Sequence, residues 1–439
     1  MGALAFASTG AAQGPQPTQQ FPLLLPAAAG GGAADPVAQV IGRLDLEKYK
    51  ATIKGLTAFG DRRQGTKRNR DALDWIEAQL KSYGCTNTER ITYTYAPAPP
   101  AGRGGGAGRG GGAGAAGGAG GGAGAGRGGA GGGGRGAAAG PPPDTLPLGG
   151  VQAGGWRFRG TRGRTGVNND SLQQADRALR ALNAEPAVNG ERQSVFCTKI
   201  GTTRPDEMYI LGAHMDGHGW GEAANDDGSG TALVMEIARV LSSPDVQTDR
   251  SVRFALWNNE ETGLNGAQAY VDQRASLQGQ QIPAGSGNYP EPRWVAMIQH
   301  DMMMFDHGMP GPDGKPAKEQ RREADVNIEF AITSRFADQA MKLAFLFRQA
   351  NERYATDYPA AVGPYMTNTD SRPFQDLIPA ISLRENERGM HTGSGWNPHW
   401  HQVTDMYSTF SDKDFRLGLN ATQTTLGAVG VLSGVTIKR

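Results

Sequence analysis

The 439-residue chain sets 44 Lys and Arg against 43 Asp and Glu, a formal net charge of +1, so no global field draws it to nucleic acid or to an anionic membrane. Its two cysteines, Cys85 and Cys197, are too few for a disulfide scaffold and match no zinc-finger spacing. No run approaches the roughly 18 apolar residues that a bilayer span needs, and the length beyond one α/β domain is largely low-complexity sequence.

Residues 1–35 are rich in Ala, Gly, Pro and Gln. The opening MGALAFASTGAAQ resembles the small-residue end of a secretory signal, though it lacks a basic first segment and a full apolar core. It reads as a leader remnant followed by a disordered linker, which predicts a secreted or periplasmic protein; a plain disordered tail is the other reading. A single domain over 36–439 follows. Helical patterns cover Pro36–Ala58, with Asp35 as N-cap and Pro36 at the first helical position, and Arg68–Tyr83, which turns Leu73, Trp75, Ile76 and Leu80 to one side. Thr86–Tyr95 alternates as a strand does in its second half. Cys85 and Cys197 lie in or beside predicted strands, either as one disulfide or as two buried thiols.

Residues 101–140 contain only Gly, Ala and Arg, and a Pro run closes the tract at 143. Such a segment has nothing to bury against its chain entropy and predicts a disordered surface insertion over 101–143. Its Arg-Gly-Gly triplets at Arg103, Arg109 and Arg127 resemble RNA-binding tails, but no aromatic residue is present to stack on bases. It reads as a spacer, with no nucleic-acid partner.

Beyond the insertion, Ser171–Leu182 predicts a helix and Gln193–Lys199 a strand. Met208–Leu211 is a buried strand that ends at His214. Its successor has a different period: Ala232, Leu233, Met235, Ile237, Ala238 and Leu241 fit a helix with a broad apolar side. Strands at Ser251–Trp257, Trp294–Gln299, Val326–Ile332 and Pro379–Leu383 alternate with helices at Ala267–Gln273, Phe336–Arg353 and Asp412–Leu432. Two long loops, Leu277–Arg293 and Asp306–Ala324, are of a length usually functional or mobile.

All seven histidines fall at or after residue 214: His214, His218, His300, His307, His391, His399 and His401. They coincide with carboxylates at strand ends: Asp216 and Asp226 after one strand, Glu260-Glu261 after the next, His300-Asp301 after the third. Ligands of open α/β sheets bind outside such strand ends. His with Asp and Glu, and no Cys, makes a hard-to-borderline metal site; zinc accepts the mixture, whereas calcium does not favour imidazole. An HxD pair or a Glu-Glu pair alone is more often a solvated turn, and a Gly-rich turn such as NDDGSG can cradle phosphate. Two acids within that turn favour a cation, and the joint occurrence carries the signal.

The segments HMD (214–216), AANDDGSG (223–230), LWNNEETGLNGAQAY (256–270), IQHDMM (298–303) and HWHQVTD (399–405) resemble the successive motifs of the co-catalytic di-zinc exopeptidases, which include secreted bacterial aminopeptidases and glutamate carboxypeptidases. The resemblance covers roughly 190–410. It implies an α/β fold with a mixed, largely parallel sheet sandwiched by helices. It implies two zinc ions, with manganese and cobalt as alternatives: His214 and Asp301 on one, Glu261 and His401 on the other, Asp226 on both. Asp216 would orient the His214 imidazole, and Glu260 would be the general base toward a hydroxide shared by the two ions. The exchange of Glu260 and Glu261 between base and ligand stays open, as does His399 in place of His401. Family members often carry Tyr before the last His; Trp400 stands there, which leaves the oxyanion donor open, with Tyr365 a candidate. Trp400 and Arg384 are further candidates for substrate contact, and Asn258 and Asn259 for narrowing the pocket. His218 is expected at the rim and His300 turned into the core or behind a ligand.

The implied activity is removal of N-terminal residues from peptides. A carboxypeptidase or amidohydrolase with the same metals is the alternative; Arg384, Glu385, Glu387 and Arg388, grouped after a strand, could receive either a free carboxylate or a free amine. An inactive binding or scaffold homologue is the alternative from another class, and the full ligand set speaks against it.

Overall fold

The computed structural model describes residues 20–27, 35–96, 174–305, 326–355, 357–364, 368–385, 397 and 399–438. The 101–143 insertion, most of the predicted leader, the 306–324 loop, Tyr365, Glu387, Arg388, His307 and His391 lie outside the described residues. Strands are β1 (Glu89–Tyr95), β2 (Gly190–Lys199), β3 (Arg204–His214), β4 (Val246–Gln247), β5 (Arg250–Trp257), β6 (Arg293–His300), β7 (Val326–Phe330), β8 (Ala360–Gly363), β9 (Ala380–Arg384) and β10 (Thr436–Ile437). Helices are α1 (Pro36–Ile41), α2 (Leu46–Thr57), α3 (Lys67–Ser82), α4 (Arg177–Asn183), α5 (Gly228–Leu241), α6 (Asn265–Arg274), α7 (Ala337–Tyr354) and α8 (Asp412–Ser433).

Eight strands form one mixed sheet in the order β1-β2-β5-β3-β6-β9-β7-β8, and its centre, β5-β3-β6-β9, is parallel. Alternation along β3 explains the two layers around it. Tyr209, Leu211 and Ala213 join a large core with the helices α1, α2, α3, α5, α7 and α8, whereas Met208 and Ile210 face a smaller one built on α6, Trp257, Trp294 and Phe374. Helices therefore cover both faces, as predicted. Register does the rest: His214 lies opposite Trp257, Ala213 opposite His300 and His300 opposite Leu383, so four parallel strands end along one edge.

The predicted helix over Pro36–Ala58 is two helices. Asp45 starts the second, accepting the N–H of Glu47 at 2.9 Å and of Lys48 at 3.1 Å, and so ends the first at Gly42. The expected linker is in part ordered. Phe21 and Leu25 are buried, and their N–H groups donate to Gln339 and Gln349 of α7, both at 2.8 Å. Its FPLLLP run supplies the apolar anchors that composition over 1–35 averages away. Cys85 and Cys197 form a disulfide, with Cα atoms 6.0 Å apart, tying the end of α3 to β2. Among the described residues no helix is long and apolar enough to cross a membrane.

Candidate metal centre

His214 closes β3, and both of its ring nitrogens have defined surroundings. Nδ1 lies 2.9 Å from the backbone carbonyl of Asp216, which fixes it as the N–H donor and leaves Nε2 facing the cluster. Nε2 is 3.3 Å from Asp226 Oδ1 and 3.9 Å from Asp301 Oδ1. His401 presents its Nε2 from the opposite loop, 3.2 Å from Asp226 Oδ2 and 2.9 Å from Glu261 Oε2. Asp226 thus shows one oxygen to each imidazole. Potential ligand atoms of His214, Glu260 and Asp301 lie within 4.8 Å of one another, as do those of His214, Asp226 and Glu261. All five expected ligands, and the expected base, come together at the strand ends.

The local sequence explains the convergence. Asp227 caps α5 through Gly230 N–H at 2.9 Å, and the same carboxylate accepts the N–H of His214 at 3.1 Å and of Met302 at 3.2 Å. One buried side chain therefore staples the ends of β3 and β6 to the helix that follows Asp226. Glu260 and Glu261 follow β5 through Asn258 and Asn259. Asn259 has φ +65°, a region in which Asn is among the most tolerated side chains.

The electrostatics are those of a site short of positive charge. Burial pushes the Glu260 carboxyl well above the usual range, and Asp370, Glu261 and Asp301 push the same way against His214. Burial with Asp226 nearby lifts Glu261 to about 7, although His401 pulls it down. His214 is buried and His401 half-buried, which disfavours their charged forms, yet the surrounding carboxylates raise both well above the ordinary histidine value. Glu261 Oε1 and both oxygens of Asp370 are buried with no hydrogen-bond partner among the described residues. Buried carboxylates in this excess need cations. With imidazole and carboxylate donors and no thiolate, the residues present fit borderline divalent ions.

Several expectations are corrected. The carboxylate of Asp216 stands 3.8 Å from His214 Nδ1; its backbone carbonyl orients the ring, while Oδ1 accepts the Glu260 N–H at 3.1 Å. Arg384 is not free for substrate: it is buried, with Nη2 2.6 Å from Asp301 Oδ2. Glu385 is structural, accepting N–H groups of Met304 and Phe305 and the Asn225 amide. Asn258 is buried and exchanges hydrogen bonds with Asn69 at 2.9 and 3.1 Å, so its amide is held by that neighbour. Trp400 stacks on His401 with ring centres 4.3 Å apart, and His218 meets the same ring edge-on at 5.1 Å. His300 is buried between Gly212 O at 3.0 Å and Thr425 Oγ1 at 2.9 Å, as alternation predicts. His399 packs between Phe305 and Phe410 with Nδ1 on Thr404. Asp227 enters as one of the two acids of the NDDGSG turn, but its capping of α5 and the place of Asp370 beside Glu260 have no sequence signal.

The model of peptidase family M28 matches residues 195–417, just over half of the chain. The chain belongs to peptidase family M28. Among relatives, aminopeptidase YwaD of Bacillus subtilis is 46% identical over 107 residues, 24% of this chain and 22% of that protein. An aminopeptidase of Pseudomonas aeruginosa is 34% identical over 127 residues, 27% and 22% of the two chains. The matched stretch thus spans about a fifth of these curated relatives. Among solved structures, BSAP, a zinc aminopeptidase from Bacillus subtilis, superposes with a TM-score of 0.54 at 15% identity, over 90% of this chain and 96% of that one. LapA aminopeptidase of Legionella pneumophila gives 0.52 at 16%, over 91% and 74%. These likenesses are of fold, and the family match runs from β2 into α8, across the strand ends described above.

Proposed function

We propose that this M28 protein is a metal-dependent aminopeptidase acting on peptides with a free N-terminal amine. The observation that carries the choice is the charge at the site: Glu260 and Asp370 add carboxylates beyond the proposed metal ligands, and among the described residues the Arg384 guanidinium is spent on Asp301 at 2.6 Å. An acidic surround receives an ammonium group and repels a terminal carboxylate. His214 and Asp301 would hold one zinc ion, Glu261 and His401 a second, and Asp226 both; the 2.9 Å contact between His401 and Glu261 supports Glu261, rather than Glu260, as the ligand. Bound there, divalent cations would supply Lewis-acid polarisation of the scissile carbonyl and lower the pKa of water.

The chain's own part is acid–base work and orientation. Glu260 takes the proton of the attacking water and delivers it to the leaving amine. Its backbone is fixed from both sides: its N–H donates to Asp216, and its carbonyl accepts the N–H groups of Gly263 at 2.8 Å and Leu264 at 2.9 Å. Ser and Cys nucleophiles have no part in this reading, so no acyl-enzyme is formed. The Cys85–Cys197 disulfide, a kind of bond that persists in oxidising compartments, supports a secreted or periplasmic location. The test is hydrolysis of a panel of aminoacyl and N-acetylated peptides, with metals quantified on the same sample. Release of N-terminal residues from free-amine substrates alone is expected. Equal turnover of blocked peptides, or release from the C-terminus, would contradict the reading.

A further inference from the structure

The loops that carry Asp226 and His401 meet through Asp405. This residue is 1% exposed, and its two oxygens are divided between neighbouring peptide groups: Oδ1 accepts the Asn225 N–H at 2.8 Å and Oδ2 the Asp226 N–H at 3.0 Å. Its own carbonyl accepts the Glu222 N–H at 2.8 Å. It stands one short turn after His401, with Gln402 N–H on His399 O at 3.0 Å and Asp405 N–H on Gln402 O at 3.1 Å. A single carboxylate is therefore tied by a turn to one imidazole and by a hydrogen bond to the backbone of the aspartate that the imidazole faces.

The opposite side of the same loop is held by a cation. Arg62, fully buried, donates to the carbonyls of Met215, Glu222 and Ala223, each at 2.8 Å. The segment between His214 and Asp226 thus has carbonyls gripped by a guanidinium and N–H groups gripped by a carboxylate. With both Asp405 oxygens and three carbonyls on Arg62 engaged, the peptide carrying Asp226 has little freedom left. We propose that Asp405 is a positioning residue that fixes the Asp226 carboxylate between His214 and His401, so that one oxygen faces each before a cation is bound. The inference rests on the reading of Asp226 as the shared ligand. Its consequence is specific: losing the Asp405 carboxylate weakens metal binding, because an amide in its place turns a donor toward one of the two N–H groups and frees the peptide that carries Asp226.

Zinc is titrated into metal-free full-length protein against a competing chelator, for the wild type, D405N, D405E and E222A, with thermal melts of each metal-free form. Glu222 also joins the two loops, its carboxylate accepting the Tyr407 N–H at 2.7 Å and not the Asp226 N–H, which Asp405 takes. D405N is expected to bind zinc about 10–100-fold more weakly, D405E to recover part of the loss, and E222A to match the wild type. Metal-free D405N and E222A should both melt cooperatively, which shows that each is folded. Zinc binding by D405N as tight as wild type, or an equal loss in E222A, would overturn the proposal. Should D405N fail to fold, hydrogen exchange of the metal-free wild type decides: slow exchange of the Asn225 and Asp226 amides supports the preformed clamp, and exchange at open-loop rates refutes it. A wild type that binds no zinc would instead refute the ligand assignment itself, an outcome distinct from the others.

Discussion

Replacing Glu260 by Gln separates chemistry from architecture more cleanly than other changes at this site. The backbone of Glu260 is fixed by its N–H on Asp216 and by its carbonyl under Gly263 and Leu264, none of which the substitution touches. Its half-buried side chain meets the repulsion of Asp370, Glu261 and Asp301, so a neutral amide of the same shape relieves strain in the fold. Metal-free E260Q should melt no lower than the wild type. What disappears is the group that carries the proton. General-base loss costs about 10²–10⁴ in rate, equivalent to about 3–5 kcal/mol of barrier, and it should appear in kcat rather than KM because Glu260 acts in the transition state. The assay is aminoacyl-anilide hydrolysis at saturating substrate with zinc quantified in the same preparation. The reasoning fails if E260Q keeps activity within a factor of about ten, or if it loses its metal along with its activity.

Other consequences are open to the same kind of measurement. Arg384→Met strands the Asp301 carboxylate, now 2.6 Å from its partner in a buried setting; the metal-free protein should lose about 3–5 kcal/mol in urea denaturation, and a loss below about 1 kcal/mol would mean the pair is exposed in solution. Cys85 and Cys197 close a loop of 112 residues, so C85S/C197S should cost about 2–5 kcal/mol, seen as a lower melting temperature with unchanged zinc content. Although burial opposes it, hydrogen bonds from Lys81, Thr88 and Arg90 pull Glu77 down to about 2. Its folded value lies below its unfolded one, so its contribution is present above the ordinary carboxylate pKa and is lost as pH falls toward 2. E77Q should therefore flatten the acid limb of the stability curve, by on the order of 1 kcal/mol after solvent screening; an unchanged limb would contradict the pairing.

What the sequence made legible follows from which forces are local. Strand ends could be read because the apolar runs at β3, β5 and β6 stop abruptly at His214, Trp257 and His300, and a parallel sheet brings those ends to one edge. His300 could be turned into the core by counting along β6, because side chains alternate strictly. Asp45 was a start signal masked by apolar periodicity on both sides. Pairings across the chain were harder to read. Arg384 meets Asp301 and Asp405 meets Asp226 only after separate loops have folded. The role given to the Asp216 side chain belongs to its carbonyl, a distinction set by backbone geometry alone. Cys85 and Cys197, 112 residues apart, gave no local cue to their bond.

The central claim is that Asp226 serves two cations at once, since one of its oxygens faces His214 and the other His401. The direct test is elemental analysis of zinc in purified wild type and Asp226→Ala after dialysis, with circular dichroism to confirm that both are folded. The account predicts about two zinc ions per wild-type chain, as expected of a site of this two-metal class, and loss of both together in the folded variant. A folded D226A chain that keeps the wild-type zinc content, or a folded wild type that binds none, would contradict it.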